Sequence, residues 1–360
     1  YDARTAKKLA EKIGYPVMIK ASSGGGGKGM RVSESPEDFE ENFKVAQLES
    51  VRGFADNSMY LEKYVRNPRH IEFQIMADKY GNVIQLGERD CSIQRRHQKV
   101  VEFTPALSIS DELRERLCSD AIKIAKAVDY RSAGTVEFLI DRDGNHYFIE
   151  MNPRIQVEHT VTEMTTGIDI VQSQILIAEG HRLDSDEVNI KSQESIQPRG
   201  YAIQCRLTTE DPLNDFAPDT GIITRYISPG GYGIRLDAGN AQAGAEISPY
   251  DDSLLVKVTA WSRTWKDAAS KARRALQELK IQGVKSNRTF LLNVLNHEKF
   301  LEGKCDTGFI DDYPDLLESK PKTGSEGKIL NYLGDLYVNG NRGIKPQFDK
   351  PVFPDIKSTQ

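Results

Sequence analysis

Glu150-Met151-Asn152-Pro153-Arg154-Ile155-Gln156-Val157-Glu158 alternates throughout: its even positions are polar, and its odd positions are apolar or proline. An extended backbone sends successive side chains to opposite faces. One face then carries Ile149, Met151, Ile155 and Val157, while the other lines up carboxylates, amides and a guanidinium. A hydrophobic core has no use for that second face, and a solvated face rarely orders donors and acceptors so regularly. Proline cannot donate to a ladder, so pairing is expected to break at Pro153 and the far end to continue as a loop or edge.

The preceding segment sharpens this reading. Thr135-Val136-Glu137-Phe138-Leu139-Ile140 has a strand pattern, Asp141 to Gly144 has turn chemistry, and His146-Tyr147-Phe148-Ile149-Glu150 resumes the strand pattern. Asp143-Gly144 between two β-rich runs predicts a hairpin. With those two residues as the loop, Arg142 faces Asn145, Phe138 faces Ile149, and Glu137 faces Glu150. Carboxylates directly opposed at about 4.5–5.5 Å repel, which calls for a shared proton or a cation between them. Oxygen-only donors, with Asn152 two residues on, suit a hard ion such as Mg²⁺. A register one residue off would instead leave both glutamates in solvent.

The chain has 360 residues, of which 38% are hydrophobic and 28% charged, enough for two or three domains with sizeable cores. A net charge of −5 provides no general attraction for nucleic acid or an anionic membrane. No apolar run approaches the roughly 18 residues of a spanning helix. Cys91, Cys118, Cys205 and Cys305 are widely spaced without a CxxC pair, which argues against a zinc site or disulfide framework and fits a reducing compartment. No signal or transit peptide is visible. The chain opens on Tyr1-Asp2, within a predicted helix, so residues upstream are expected to be missing.

That helix is predicted to run to Ile13, with Gly14 as its C-cap and Pro16 preventing continuation. Strands are expected at 16–21, 30–32 and 59–65, and an alternating pair at 70–75 and 83–86. A helix is expected to start at Ser35-Pro36, with Ser as N-cap and Pro at the first helical position, and to run to about Ser50. Further helices are predicted at 110–128, with Leu113, Leu117, Ile122, Ile124 and Val128 as the apolar stripe, and at 168–179, 265–280 and 287–302. Residues 184–198 read as an irregular boundary. Tyr201 to Leu207 alternates, and several short strands are expected within 220–260. From 318 the composition turns to Ser, Lys, Gly and Pro, with one amphipathic stretch at Ile329 to Val338.

Four glycines followed by Lys28-Gly29, between two predicted strands, can form a flap whose N–H groups follow phosphate oxygens, with Lys20 at the end of the first strand. It is neither a Walker A loop nor a Rossmann fingerprint, because Gly29 follows Lys28 and the next element is a strand. Composition alone would equally allow a flexible linker. Gln94-Arg95-Arg96-His97-Gln98-Lys99 concentrates cations, either as a solvated loop or as a grip on anions beside a metal–phosphate site. Arg206 shares its predicted strand face with Gln204.

Taken together, the glycine-rich flap, Leu61-Glu62-Lys63-Tyr64, the Gln94–Lys99 run and Phe148 through His159 resemble an ATP-grasp biotin carboxylase, over nearly all of residues 1 to 310. Cys205 to Pro212, Gly233 to Asp237, Phe309 to Asp312 and the tail around Tyr332 to Gly340 resemble the pyruvate carboxylase branch in particular. The resemblance implies an α/β (α+β) ATP-grasp fold. A mobile glycine-rich lid subdomain would span 1–65, the ATP-grasp core 66–183, a C-terminal biotin carboxylase subdomain 196–305, and a linker or following domain 310–360.

It also implies a reaction in which MgATP activates bicarbonate as carboxyphosphate and CO₂ passes to a ureido nitrogen of biotin, the first half-reaction in making oxaloacetate. By motif, Lys20 and Gly25, Gly26 and Gly27 hold ATP phosphates, Glu62, Lys63 and Val65 contact the adenine side, and His70, Gln94 and His97 line the nucleotide pocket. Glu137, Glu150 and Asn152 bind Mg²⁺ (or Mn²⁺). Lys99, Arg154, Gln156 and Val157 surround bicarbonate, Glu158 is its base, and Arg206 stabilises the biotin enolate. The family also has an N-terminal subdomain before this point, so the chain alone is expected to be incomplete. Asp251 stands where the family usually repeats tyrosine. With no biotin-attachment Met-Lys-Met motif present, the implied partners are a biotin carrier domain and a carboxyltransferase domain, in a homo-oligomer (dimer or tetramer), without nucleic acid or membrane. The implied location is cytoplasmic, or the mitochondrial matrix in a eukaryote. The same motifs would also fit the carboxylase of an acyl-CoA carboxylase, or an assembly fragment unable to turn over.

Overall fold

The computed structural model describes residues 2–23, 29–250, 252–318, 329 and 332–334. Gly25, Gly26, Gly27 and Asp251 lie outside the described residues, as does most of the 329–338 stretch. Tyr1–Glu318 forms one unit and Ser319–Gln360 a second.

The first unit begins with a small αβ layer. Helix α1 (Ala3–Ile13) is capped by the Asp2 carboxylate on the Thr5 N–H at 2.7 Å and ends at Gly14, whose φ of 84° is one that side-chain-bearing residues avoid. Strands β1 (Val17–Ala21), β2 (Met30–Ser33) and β3 (Met59–Lys63) form an antiparallel sheet in the order β2-β1-β3. Helix α2 (Phe39–Phe54) covers it, and Val17, Ile19, Phe39, Phe43 and Ala46 share a core with Ala6 and Ala10 of α1. The predicted start of α2 at Ser35 is corrected: Asp38 accepts from Ser33 Oγ and from the Glu34 and Ser35 N–H groups, so residues 33–38 form a carboxylate-tied turn before the helix begins.

A second, eight-stranded antiparallel sheet follows. Its members are β4 (Arg69–Ala77), β5 (Val83–Arg95), β6 (Gln98–Thr104), β7 (Ser132–Ile140), β8 (His146–Asn152), β9 (Tyr201–Thr208), β10 (Ile234–Ala238) and β11 (Leu254–Ser262). Their order is β10-β11-β9-β6-β5-β4-β7-β8, so one sheet runs through both halves of the unit. Helix α3 (Asp111–Ala127) packs Leu113, Leu117, Ala121 and Ala125 on Ile71, Phe73, Ile75, Val136 and Phe138. Its stripe therefore finishes in alanines, and the predicted Val128 is outside the helix and 61% exposed. Helix α6 (Trp265–Glu278) and helix α7 (Arg288–Asn296) cover the other end, around Val101, Phe103, Ile203, Cys205 and Val258. The predicted helix at 287–302 is two pieces, because His297 leaves the helical region and caps Glu298–Leu301.

Two corrections bear on the opening motif. The hairpin loop is longer than two residues: Ile140 pairs with His146, and Asp141 closes the loop by accepting from the N–H groups of Asp143 and Asn145 at 3.0 and 2.8 Å. Phe138 thus faces Phe148, and a bulge between Phe138 and Glu137 restores the expected pairing of Glu137 with Glu150. The extended run ends at Asn152, and Glu158 instead sits at the N-terminus of helix α4 (His159–Thr166), which precedes α5 (Ile170–Glu179). Helix α4 went unread because its residues are threonine-rich and buried almost all round, leaving no amphipathic period.

Candidate active site

Strand β4 sends Ile71, Phe73 and Ile75 to the α3 core, and so its polar residues His70, Glu72 and Gln74 to the other face. The ladder then aligns four charged residues across four strands: Arg89 opposite Glu72, Glu72 opposite Glu137, and Glu137 opposite Glu150. Three adjacent carboxylates would repel, and each junction carries its own remedy. Arg89, fully buried, gives Nε to Glu72 at 2.5 Å and its two Nη atoms to Gln74, Thr162, Thr135 and Gln156. Lys99 bridges Glu72 and Glu137, the latter at 3.0 Å. Asn152 Nδ2 bridges the last pair, 2.9 Å from Glu137 Oε1 and 3.0 Å from Glu150 Oε1. A single amide N–H₂ thus occupies the position between two carboxylates that a divalent cation would neutralise, and the oxygen donors around it fit a hard ion.

Glu158 is held from both sides. Lys99 Nζ lies 2.7 Å from Oε1, and Arg206 Nη2 lies 2.9 Å from Oε2. Arg206 Nε donates to Glu102, which is fully buried and also receives Gln204 Nε2 at 2.8 Å. The shared face of Gln204 and Arg206 is thus realised on one acceptor. Gln156 donates to Glu137 at 2.7 Å while its carbonyl oxygen accepts from Arg89. Gln94 donates to the Cys91 carbonyl and to His70 Nδ1 at 2.7 Å, which leaves the His70 proton on Nε2, 2.6 Å from Glu137 Oε2.

Burial raises the carboxyl pKa of Glu72, but Arg89 and Lys99 outweigh it and hold the group below the usual range. Glu137 is likewise pushed up by burial and held far down by His70, Lys99 and Gln156. Burial lowers Lys99, and Glu72, with Glu158 and Glu137, more than restores it, so the ammonium is secure. Cys91 is driven well upward by burial, with Glu72 adding to it, and stays a thiol.

The remaining expected residues are more scattered. Arg154 is exposed and turns back to the Ile155 carbonyl and Asn152 Oδ1. The Val157 carbonyl accepts from Lys257 at 3.2 Å. His97 is exposed at the β5–β6 turn, where it and Arg96 have φ of 63° and 49°. Lys20 and Glu62 form an ion pair on the small sheet, Lys63 Nζ donates to the Gly14 and Tyr15 carbonyls, and Val65 follows β3, partly buried. Tyr60 of the same sheet lies close enough to Glu150 to feel its charge. Sequence reasoning missed Glu72, Arg89 and Glu102. The alternation of β4 displays Glu72, but a polar strand face reads as solvated until a sheet and helix bury it.

A buried row of cations and carboxylates, leading to the cross-strand Glu137/Glu150 pair in a unit that also holds a small sheet with a glycine-rich connecting sequence, is the arrangement of an ATP-grasp phosphoryl-transfer enzyme. The family described as "Carbamoyl-phosphate synthase L chain, ATP binding domain" matches residues 1–186, and "Biotin carboxylase C-terminal domain" matches 204–312. The chain belongs to the ATP-grasp biotin carboxylase family. It is 48% identical to the biotin carboxylase domain of Hydrogenobacter thermophilus 2-oxoglutarate carboxylase, a dimer complexed with MgADP, ADP and bicarbonate, covering 89% of this chain and 69% of that one with a TM-score of 0.84. A Campylobacter jejuni biotin carboxylase–β,γ-ATP complex is 45% identical, with 86% of this chain and 68% of that one covered and a TM-score of 0.82. Pyruvate carboxylase of Bacillus subtilis is 54% identical over 96% of this chain, and the human mitochondrial pyruvate carboxylase 52% identical over 98%. The chain spans 30% of the length of each of these two.

Proposed function

We propose that the chain carries out the MgATP-dependent carboxylation of biotin by bicarbonate as the first half-reaction of a pyruvate carboxylase. The observation that carries this reading is Glu158, with one carboxylate oxygen on Lys99 and the other on Arg206, beside the Glu137/Glu150 pair. Bicarbonate gives its proton to Glu158, and the carbonate oxygen so exposed attacks the γ-phosphoryl of ATP, releasing ADP and forming carboxyphosphate. Lys99, Arg154, Gln156 and Val157 position the anion. Lys20 and Gly25 to Gly27 take the phosphates, and Glu62, Lys63, Val65, His70, Gln94 and His97 the rest of the nucleotide. Glu137, Glu150 and Asn152 would hold Mg²⁺ or Mn²⁺, which supplies charge neutralisation at the transferring phosphoryl group. Carboxyphosphate splits into CO₂ and phosphate, the phosphate takes the ureido N–H proton, and the nitrogen bonds to CO₂ while Arg206, which keeps its proton under all conditions, stabilises the negative charge on the ureido oxygen.

The relatives' names and the complexes of the solved neighbours support this assignment. The biotin carrier and carboxyltransferase domains, formation of oxaloacetate, a dimeric or tetrameric assembly and a cytoplasmic or mitochondrial-matrix location belong to the same proposal. So do a lid over 1–65, a core over 66–183, a C-terminal subdomain over 196–305 and a linker from 310. No helix among the described residues is long and apolar enough to cross a membrane. Sequence likeness to pyruvate carboxylases favours this reading over an acyl-CoA carboxylase. The test is bicarbonate-dependent ADP release stimulated by free biotin, in the full-length protein that carries this chain. Lack of stimulation would sink the enzyme reading in favour of an assembly fragment.

A further inference from the structure

The assigned base, Glu158, is held between a lysine and an arginine. Each of those cations is shared with another buried carboxylate. Lys99 also meets Glu72 and Glu137, and Arg206 meets Glu102. In this cluster the carboxylates of Glu72, Glu102, Glu137 and Glu158 face the cations Arg89, Lys99 and Arg206, with the partly buried Lys257 paired beside Arg206, so the charges nearly balance and each cation is divided among several carboxylates.

Glu102 is the member the mechanism leaves unused. It stands opposite Gln204 in the β6–β9 ladder and is fully buried. Both of its hydrogen-bond partners are donors: Arg206 Nε and Gln204 Nε2. The Gln204 amide is held in that orientation by Thr160, whose hydroxyl donates to Gln204 Oε1 at 2.5 Å and contacts Thr259 Oγ1 at 2.8 Å. Among the described residues no acceptor is present for a carboxyl proton, so the arrangement suits an ionised Glu102, although burial pushes its pKa upward against the pull of Arg206. With Nε on Glu102 and Nη2 on Glu158, Arg206 Nη1 has no protein partner among the described residues and is the edge left for substrate.

We propose that Glu102 is a positioning residue for the carboxylation reaction: it fixes the orientation of Arg206 and, by neutralising that guanidinium, preserves the ability of Glu158 to accept a proton. The inference rests on the assignment of Glu158 as base and Arg206 as the enolate's partner. The charged and titratable groups around Glu158 are Lys99 and Glu102 on β6, Arg206 on β9, Lys257 on β11, Cys91 and Arg89 on β5, Glu72 on β4, Glu137 on β7 and His159 on α4. Removing the Glu102 charge leaves Arg206 free to hold Glu158 in its ionised form.

The experiment compares wild type, Glu102→Gln, Glu102→Asp and Glu158→Gln in the full-length protein carrying this chain. It reads biotin-dependent ADP release against pH, the separate kcat and KM values for bicarbonate, and MgATP affinity. Glu102→Gln is expected to lower kcat at least about tenfold and to move the acidic limb of the rate profile downward. MgATP affinity should change less than about twofold, which also reports a folded site. Glu102→Asp, which keeps the charge but shortens the reach, should keep the limb at its wild-type position with a reduced rate. A Glu102→Gln enzyme with a wild-type rate, or with a reduced rate and an unmoved limb, overturns the inference while an inactive Glu158→Gln leaves the base assignment standing. Substantial carboxylation by Glu158→Gln overturns the base assignment itself.

Discussion

Replacing Arg89 by methionine tests whether the polar row is a designed unit or a set of separate contacts. Methionine fills much of the arginine volume and removes its donors. Arg89 is fully buried, and its guanidinium contacts Glu72 at 2.5 Å, Gln74 at 2.7 Å, Gln156 at 3.0 Å, Thr162 at 3.1 Å and Thr135 at 3.2 Å. Breaking a buried ion pair by removing one partner costs about 3–5 kcal/mol. The two glutamine carbonyls lose a donor and add about 1 kcal/mol, while the threonine hydroxyls can rotate to other acceptors. The sum, about 4–6 kcal/mol, corresponds to a fall in Tm of about 6–9 °C for a unit of this size, at roughly 2.1 cal/mol/K of unfolding entropy per residue. Thermal unfolding followed by near-ultraviolet circular dichroism measures it, and a fall below about 3 °C would refute the reasoning.

Two further readouts separate this account from simple loss of packing. Gln156 loses the donor that orients its amide, so KM for bicarbonate should rise about fivefold, the equivalent of one hydrogen bond near 1 kcal/mol. The stability gap should also depend on pH. The folded Glu72 carboxyl lies below its usual range. Its stabilisation is therefore complete above the unfolded value of about 4.3 and is lost as pH falls towards the folded value. The gap between wild type and Arg89→Met should narrow as pH falls below that of an unfolded glutamate. A gap that stays constant would mean that charge is not what the arginine contributes.

Other expectations follow from the same geometry, all in the full-length protein. Glu158→Gln should keep MgATP binding within about twofold and lose carboxylation by about 10²-fold or more, because only proton transfer is removed; normal carboxylation would unseat the assigned base. Glu150→Gln removes one of two cross-strand carboxylates, so the Mg²⁺ concentration for half-maximal rate should rise severalfold, and an unchanged Mg²⁺ dependence would count against the hairpin cation position. Gly233→Ala would place a Cβ 2.4 Å from the Trp261 carbonyl oxygen at a φ of 82°, so calorimetry should show destabilisation of about 1–3 kcal/mol, and an unchanged Tm would contradict that crowding.

Much of the small sheet and the hairpin was legible because local rules sufficed. Gly14 and Pro16 end α1 by local chemistry alone, whereas Asp2, expected within the helix, proves to be its N-cap, and Glu137 pairs with Glu150 as the turn residues suggested. The reason given for that pairing was incomplete. The loop takes five residues, and a bulge returns the register, which turn propensity does not encode. Helix α4 escaped notice for a related reason: an element buried on all sides carries no polarity period.

The sequence by itself determined which residues could do the chemistry. Alternation put polar groups on one face, the oxygen donors named the cation, and the motif grouped residues under nucleotide and bicarbonate. Only the tertiary structure decided their charge balance. Arg89, Glu72 and Glu102 acquire meaning from strand neighbours 17 or more residues away in sequence and from burial that removes water as a competing partner. Coulombic coupling depends on distance and solvent exclusion, which a linear chain does not contain. That is why the motif could single out Glu158, whereas the carboxylates sharing its two cations became visible only when the strands were brought together.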